Sequence, residues 1–214
     1  MNTDDYVKMV LTQHLLTTDY QQLPPEVAKN HLENITNTLK SLLQDHKDTL
    51  SMVEQTFFTR SLQLHHRIPL FYGIPKVHKT PTALRPVVST VNSLLSVFST
   101  WLDYQMKKLL PFTKSYLKNS KVVKEDLKTI HIPPNAFLFS AGATAMYTNI
   151  DSDTGLSSIS ELLQTNSTDI PTNFPTQLFL KVLEIIMKNN ILQFRSTYWL
   201  QLYGTAMGTP TACA

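Results

Sequence analysis

Cysteine is almost absent from this 214-residue sequence: Cys213 stands alone, which excludes an internal disulfide framework and any multi-cysteine zinc site. His65, His66 and His131 have no ligand-like partners in sequence, so no metal is assigned to them. No apolar run approaches the roughly 18–20 residues of a membrane span, and no membrane partner is expected. The opening Met-Asn-Thr-Asp-Asp has neither the basic nor the apolar region of a leader. An intracellular location, cytoplasmic or nuclear, is the expectation. Internal repeats and low-complexity tracts are missing as well. From Gln55 to Leu102 there is no acidic residue at all.

What is present is a chain with 42% hydrophobic content, enough for one substantial core or two small ones. The net charge of +3 hides a lopsided distribution. Residues 55–128 hold twelve Lys/Arg against three acids, a local balance of +9, and the remainder holds seven basic against thirteen acidic residues, or −6. One-sided charge of this kind attracts phosphate backbones and makes binding salt-dependent through counterion release. A solvated basic surface with no ligand has the same composition.

Hydrophobic spacing predicts a helix-rich first third. Residues 4–16 read as a short amphipathic helix with Asn2 or Thr3 as cap and Asp4 and Asp5 in its first turn. Pro24 and Pro25 start a longer helix along which Leu32, Ile35, Leu39, Leu42 and Leu43 recur. Residues 50–64 continue helically around Val53, Phe57 and Phe58. Residues 68–74 and 84–90 then predict a two-stranded hairpin with a basic tip at Lys76, His78 and Lys79. Helices follow over 94–110, closed by Pro111, and over 122–130. Beyond Pro133 and Pro134 the pattern predicts an apolar strand at 136–140, a helix at 154–164 capped by Asp153 or Thr154, a helix at 174–188, and a hairpin of 191–195 with 198–202.

Three stretches in fixed order carry a more specific signal. They are Phe71-Tyr-Gly-Ile-Pro-Lys-Val-His-Lys79 with Arg85-Pro-Val-Val-Ser89, then Leu138 through Gly142 and Tyr147 to Ile150, then Gly204-Thr-Ala-Met-Gly-Thr-Pro210. Together they resemble the reverse transcriptase domain of Penelope-like retroelements and related eukaryotic elements. That family has FYGxPKxHK, RPIVS, a strand with Asp before LYTNI, and GTAMGTP in the same order. The resemblance covers roughly residues 60–214, with a weaker echo in Tyr6-Val-Lys-Met and Thr18-Asp-Tyr-Gln-Gln-Leu23. It implies an α+β, partial right-hand polymerase fold: a fingers-like region over 1–135, containing the basic hairpin 68–90, and a partial palm over 136–214.

The activity implied is RNA-directed DNA synthesis by two-metal nucleotidyl transfer, in which Mg2+ ions hold the attacking and leaving oxygens. Template-primer RNA or DNA and a nucleoside triphosphate are the implied partners of an intact member. Arg85 suits bidentate contact with phosphate, and Lys76 or Lys79 supplies point charge. Tyr147 stands five positions after Gly142, where the family places the aromatic gate against the ribose 2′-hydroxyl. Gly204, Thr205, Gly208, Thr209 and Pro210 correspond to the turn and helix start under the templating base. Thr209 is the expected cap, with Pro210 in the first helical position.

Gly142 occupies the place of the family's first metal-binding aspartate. The later Asp-Asp hairpin has no counterpart, because the only adjacent aspartates, Asp4 and Asp5, fall at a helix start. Asp151 and Asp153 read as cap residues for the following helix. A truncated copy without polymerase activity, and with no cofactor of its own, is therefore expected. Aspartate and glycine codons can differ by one base, and natural decay and a deliberate knockout are equally consistent with the change. Two other readings stand beside it: a non-catalytic nucleic-acid-binding module, and a helical interaction fragment.

Overall fold

Asn2 opens the first helix by accepting the Asp5 N–H at 2.8 Å, as a short polar side chain does at a helix start. The computed structural model describes residues 1–137 and 139–213. Among these are seven α-helices and a five-stranded mixed sheet, an α+β architecture. Helix α1 (Thr3–Val10) runs on into one π-helical turn, Leu11–Leu15. Strand β1 (Tyr20–Leu23) follows, then α2 (Pro25–Asp45), with proline at its first position where no N–H is needed. Ser51 and Glu54 form a reciprocal capping box at the start of α3 (Met52–Leu62).

The predicted basic hairpin forms as β2 (Leu70–Lys76) and β3 (Ala83–Ser89), antiparallel, with Ile74 opposite Arg85 and Lys76 opposite Ala83. Helix α4 (Leu94–Leu109) and helix α5 (Ser120–Thr129) come next. After α6 (Ser152–Thr165) and α7 (Thr176–Lys188), the chain ends its regular structure in the hairpin β4 (Asn190–Phe194) and β5 (Thr197–Gln201). The strand order is β1-β5-β4-β2-β3, with β2 and β4 parallel and the other neighbours antiparallel.

Alternation along the strands sends side chains into two cores. Ile191 and Leu200 face a large helical layer built on Phe98, Trp101 and Leu102 of α4 and Leu178, Phe179, Val182, Leu183 and Ile186 of α7. Each such side chain contributes about 1.5–3 kcal/mol on burial. Leu192, Phe194 and Trp199 face the other way. They pack with Phe71, Leu84 and Val88 against Val10 and Leu15 from the N-terminal helix. The sheet and the larger core draw residues from both sides of position 135.

Three expectations are corrected. No strand forms at 136–140 or through Gly142: Ala136, Phe137 and residues 139–145 lack helix and strand structure, and Met146–Asn149 is a short 3-10 turn, while Leu138 lies outside the described residues. A strand needs a neighbour for its N–H and C=O groups, and none of the five strands pairs with this segment. Phe137 and Phe139 are 94% and 87% exposed, so neither phenylalanine of the apolar run that suggested a strand is buried. Helix α6 starts two residues earlier than expected: of the two aspartates read as caps, Asp151 is the one that serves, accepting the Thr154 N–H at 2.7 Å, and neither Asp153 nor Thr154 is the cap. Thr209 does not cap a helix in the expected way: its hydroxyl donates back to the Ala206 carbonyl at 3.0 Å, and Pro210–Cys213 is a 3-10 turn.

Candidate functional site

Strand β3 is an edge of the sheet, and an edge leaves every second N–H without a partner. Here the outward positions are Leu84, Pro86 and Val88. The Leu84 N–H donates to Gln13 Oε1 at 2.8 Å, Pro86 has no N–H, and the Val88 N–H donates to the Met207 carbonyl at 2.7 Å. Gln13 Nε2 also donates to the Thr82 carbonyl at 3.2 Å, and His14 Nε2 lies 3.3 Å from the Leu84 carbonyl. The N-terminal helix and the Gly204–Pro210 turn thus clasp the two ends of one edge strand.

Between these clasps opens a cleft of about 740 Å³, within the size range of small-molecule sites. Lys76, Arg85 and Pro86 line it from the hairpin, Ala143 and Tyr147 from the irregular segment, Met207 from the final turn, and His14 and Asp19 from the N-terminal region. Neither Lys76 nor Arg85 enters an ion pair among the described residues. Asp19 is the only carboxylate among the lining residues. Burial, helped by the charge of Lys76, holds the His14 imidazole below its ordinary value against the opposing pull of the Leu84 carbonyl, so His14 is neutral at pH 7. Burial, with Asp19 adding to it, pushes the Tyr20 phenol up to about 12.

Two glycines fix how the last turn meets the segment that carries Tyr147. Gly204 has φ +78°, and a Cβ there would lie 2.6 Å from Thr148 Cα and 2.6 Å from the Tyr147 carbonyl oxygen. Next to it, the Thr205 N–H donates to that same oxygen at 2.7 Å. Gly208 has φ +111°, and a Cβ there would lie 2.5 Å from the Val88 carbonyl oxygen. Only glycine permits this backbone and this proximity. The 204–210 turn therefore holds residues 147–148 on one side and β3 on the other.

Of the residues singled out by sequence, Lys76, Arg85 and Tyr147 line the cleft, while Gly204, Thr205 and Gly208 shape its walls. Lys79 sits exposed in the hairpin turn outside the lining. Thr209 is buried, and Pro210 begins the 3-10 turn whose Thr211 hydroxyl lies 3.4 Å from Ser99 of α4. Gly142 is exposed, precedes Ala143 of the lining, and has open space where a side chain would go. Gln13, His14, Thr17, Asp19 and Tyr20 were not singled out as site residues. Asp19 and Tyr20 fall within the weak motif echo over 18–23, while Gln13, His14 and Thr17 carry no signal in the sequence.

The Mg2+ chemistry of the resembling family finds no donor set here. Divalent magnesium needs hard oxygen ligands, and no three His, Cys, Asp or Glu side chains converge as a metal site among the described residues. Near Gly142 in sequence, Asp151 is engaged with the Thr154 N–H, and Asp153 pairs with Lys188 at 2.8 Å. The carboxylates present do not fit a two-metal centre. No helix of the described residues is long and apolar enough to cross a membrane. No family model, curated protein or solved structure matches this chain.

Proposed function

We propose that this chain is a fingers and partial-palm portion of a reverse transcriptase domain, ancestrally a template-directed DNA polymerase, that retains a nucleoside triphosphate cleft without catalytic power. The observation that carries the reading is the convergence of three stretches far apart in sequence, at Lys76 to Pro86, Ala143 to Thr148 and Met207, around one cleft with two unpaired cations. Arg85 and Lys76 take the phosphates, Tyr147 stands beside the sugar, and the 204–210 turn supports that tyrosine from behind. Because the carboxylates do not fit a two-metal centre, no chemical step is assigned to these residues.

Primer extension tests the catalytic half of this reading. These 214 residues should extend no primer in Mg2+, and Gly142→Asp alone should not restore extension, because one carboxylate cannot hold both ions. Joined to a family-like Asp-Asp hairpin and thumb, the Gly142→Asp chain should exceed its Gly142 parent by about 10⁴-fold, the scale on which catalytic groups acting as a unit fail together. Equal activity of the two would place the metal ligand elsewhere, with Asp151 the next position to test. Templated extension by the unmodified chain would refute the inactive assignment.

A nucleic-acid-binding role is supported separately by α5 and its flanks. Lys114, Lys118, Lys121, Lys124 and Lys128 are all exposed there, and so are Tyr116, Phe137 and Phe139. Lysines track a phosphate backbone and exposed rings stack on bases.

A further inference from the structure

The cleft offers cations to a polyphosphate but almost nothing to a metal ion that accompanies it. Lys76 and Arg85 come from the facing strands of one hairpin, Lys76 at the end of β2 and Arg85 two residues beyond its partner Ala83. Against them the lining holds a single carboxylate, Asp19, which belongs to the N-terminal wall with Tyr20. The segment of residues 143–148 contributes Ala, Met, Tyr and Thr to the lining and no acid. At Gly142, beside it, no side chain is present to reach an ion.

A divalent ion on a triphosphate stabilises a protein complex when protein carboxylates share it, and otherwise occupies the oxygens that Lys and Arg bind. It also cancels about half of the triphosphate's charge, and so weakens the attraction of a cationic cleft. Resting on the nucleotide-cleft reading above, we propose that this cleft binds a nucleoside triphosphate as the bare polyphosphate anion, with no divalent cation, and that Mg2+ competes with Lys76 and Arg85 rather than assisting them. The binding mode is thus the reverse of the metal-bridged one that the polymerase resemblance implies.

Two consequences distinguish this mode. Binding is tighter in EDTA than in Mg2+ at matched ionic strength, and inorganic tripolyphosphate, which carries the charge without base or sugar, competes for the same cleft. Arg85→Ala and Lys76→Ala each remove a charge-assisted contact and weaken binding by about 10-fold or more. Among the described residues neither side chain has a hydrogen-bond or ion-pair partner, so their removal leaves the fold intact, which circular dichroism of each variant checks.

The experiment is fluorescence anisotropy of a dye-labelled deoxyadenosine triphosphate with the full chain, in excess EDTA and in millimolar Mg2+, with unlabelled tripolyphosphate as competitor. Lys29→Ala, on the exposed surface of α2, serves as the control for lost charge. The expected result is a severalfold tighter Kd in EDTA, displacement by tripolyphosphate, and loss in Arg85→Ala and Lys76→Ala but not in Lys29→Ala. Tighter binding in Mg2+, abolished by the same two substitutions, would overturn the metal-free mode while leaving the nucleotide cleft standing. No binding in either buffer, or binding indifferent to both substitutions, would overturn the nucleotide cleft itself and the inference with it.

Discussion

Gly204→Ala is the single-atom perturbation that most directly stresses the join between the final turn and the cleft. The added methyl would sit 2.6 Å from two backbone atoms of residues 147–148, whereas ordinary contact begins near 3.4 Å. Something must move by about 0.8 Å, and neither partner is the flexible end of a side chain. The left-handed φ of +78° adds a penalty of its own for any residue with a Cβ. Overpacking costs typically about 1–3 kcal/mol and the left-handed backbone about 1–2, so the sum is about 2–5 kcal/mol. That is a large share of the 5–15 kcal/mol that holds a typical domain together.

Urea denaturation followed by tryptophan fluorescence reads this directly, and two glycines elsewhere supply the scale. Gly142→Ala meets nothing within 4 Å and should stay within about 0.5 kcal/mol of the parent. Gly155→Ala lies inside α6, meets the flexible Met187 Cε at 3.3 Å and Ile150 Cγ2 at an ordinary 3.8 Å, and should stabilise by up to about 1 kcal/mol. If Gly204→Ala is as stable as Gly142→Ala, the turn does not press on residues 147–148, and the assembly of the cleft described above is wrong.

Other consequences are equally concrete. Ser51→Ala removes the cap of α3 and should cost about 1 kcal/mol in the same denaturation assay. Burial alone would raise the Glu54 carboxyl, but hydrogen bonds from Ser51 and Trp101 and the charge of Lys108 hold it below its usual value. The stability it contributes is therefore present above the unfolded carboxylate pKa and is lost as pH falls through the lower folded one, so Glu54→Gln should flatten the acid limb of a stability–pH curve. For His14 it is burial itself that lowers the pKa, so its contribution is present above the unfolded value of 6.5 and is lost on acidification below it; a thermal midpoint that fails to fall in that window would contradict the buried, neutral imidazole. Neutralising Lys114, Lys118 and Lys121 together should weaken single-stranded RNA binding across sequences and reduce its salt dependence, as a filter-binding salt series would reveal.

Helix ends and the central hairpin were legible because local chemistry decides them. Asn2 and the proline pair at 24–25 mark starts by hydrogen bonding or by a missing donor, and the apolar spacing of α7 matches its buried face, whereas the Ser51–Glu54 capping box of α3 was not read from the sequence. Strand β1 was not predicted, because Tyr-Gln-Gln-Leu has polar residues at its centre and owes its existence to pairing with β5. The opposite error occurred at 136–140, where apolar residues suggested a strand that has no partner among the described strands. Local pattern reports what a segment can bury, while pairing depends on what lies beside it.

The site divided along the same line. Arg85, Lys76 and Tyr147 were identified through motif order, and the cleft brings them together. Lys79, in the same motif, falls in an exposed turn because a hairpin tip projects away from the edge that forms the wall. His14 and Gln13 escaped notice because their role is to serve the backbone of an edge strand some 70 positions away, at sequence separations of 70 and 71. No local pattern announces that kind of contact.

Photocrosslinking with a base-azido deoxynucleoside triphosphate, followed by peptide mapping, tests the central claim most directly. The account predicts label on residues 76–86 and 143–148, suppressed by excess unlabelled triphosphate and diminished in Arg85→Ala. Label confined to the lysine-rich helix α5, or scattered over the surface and insensitive to competitor, would contradict it.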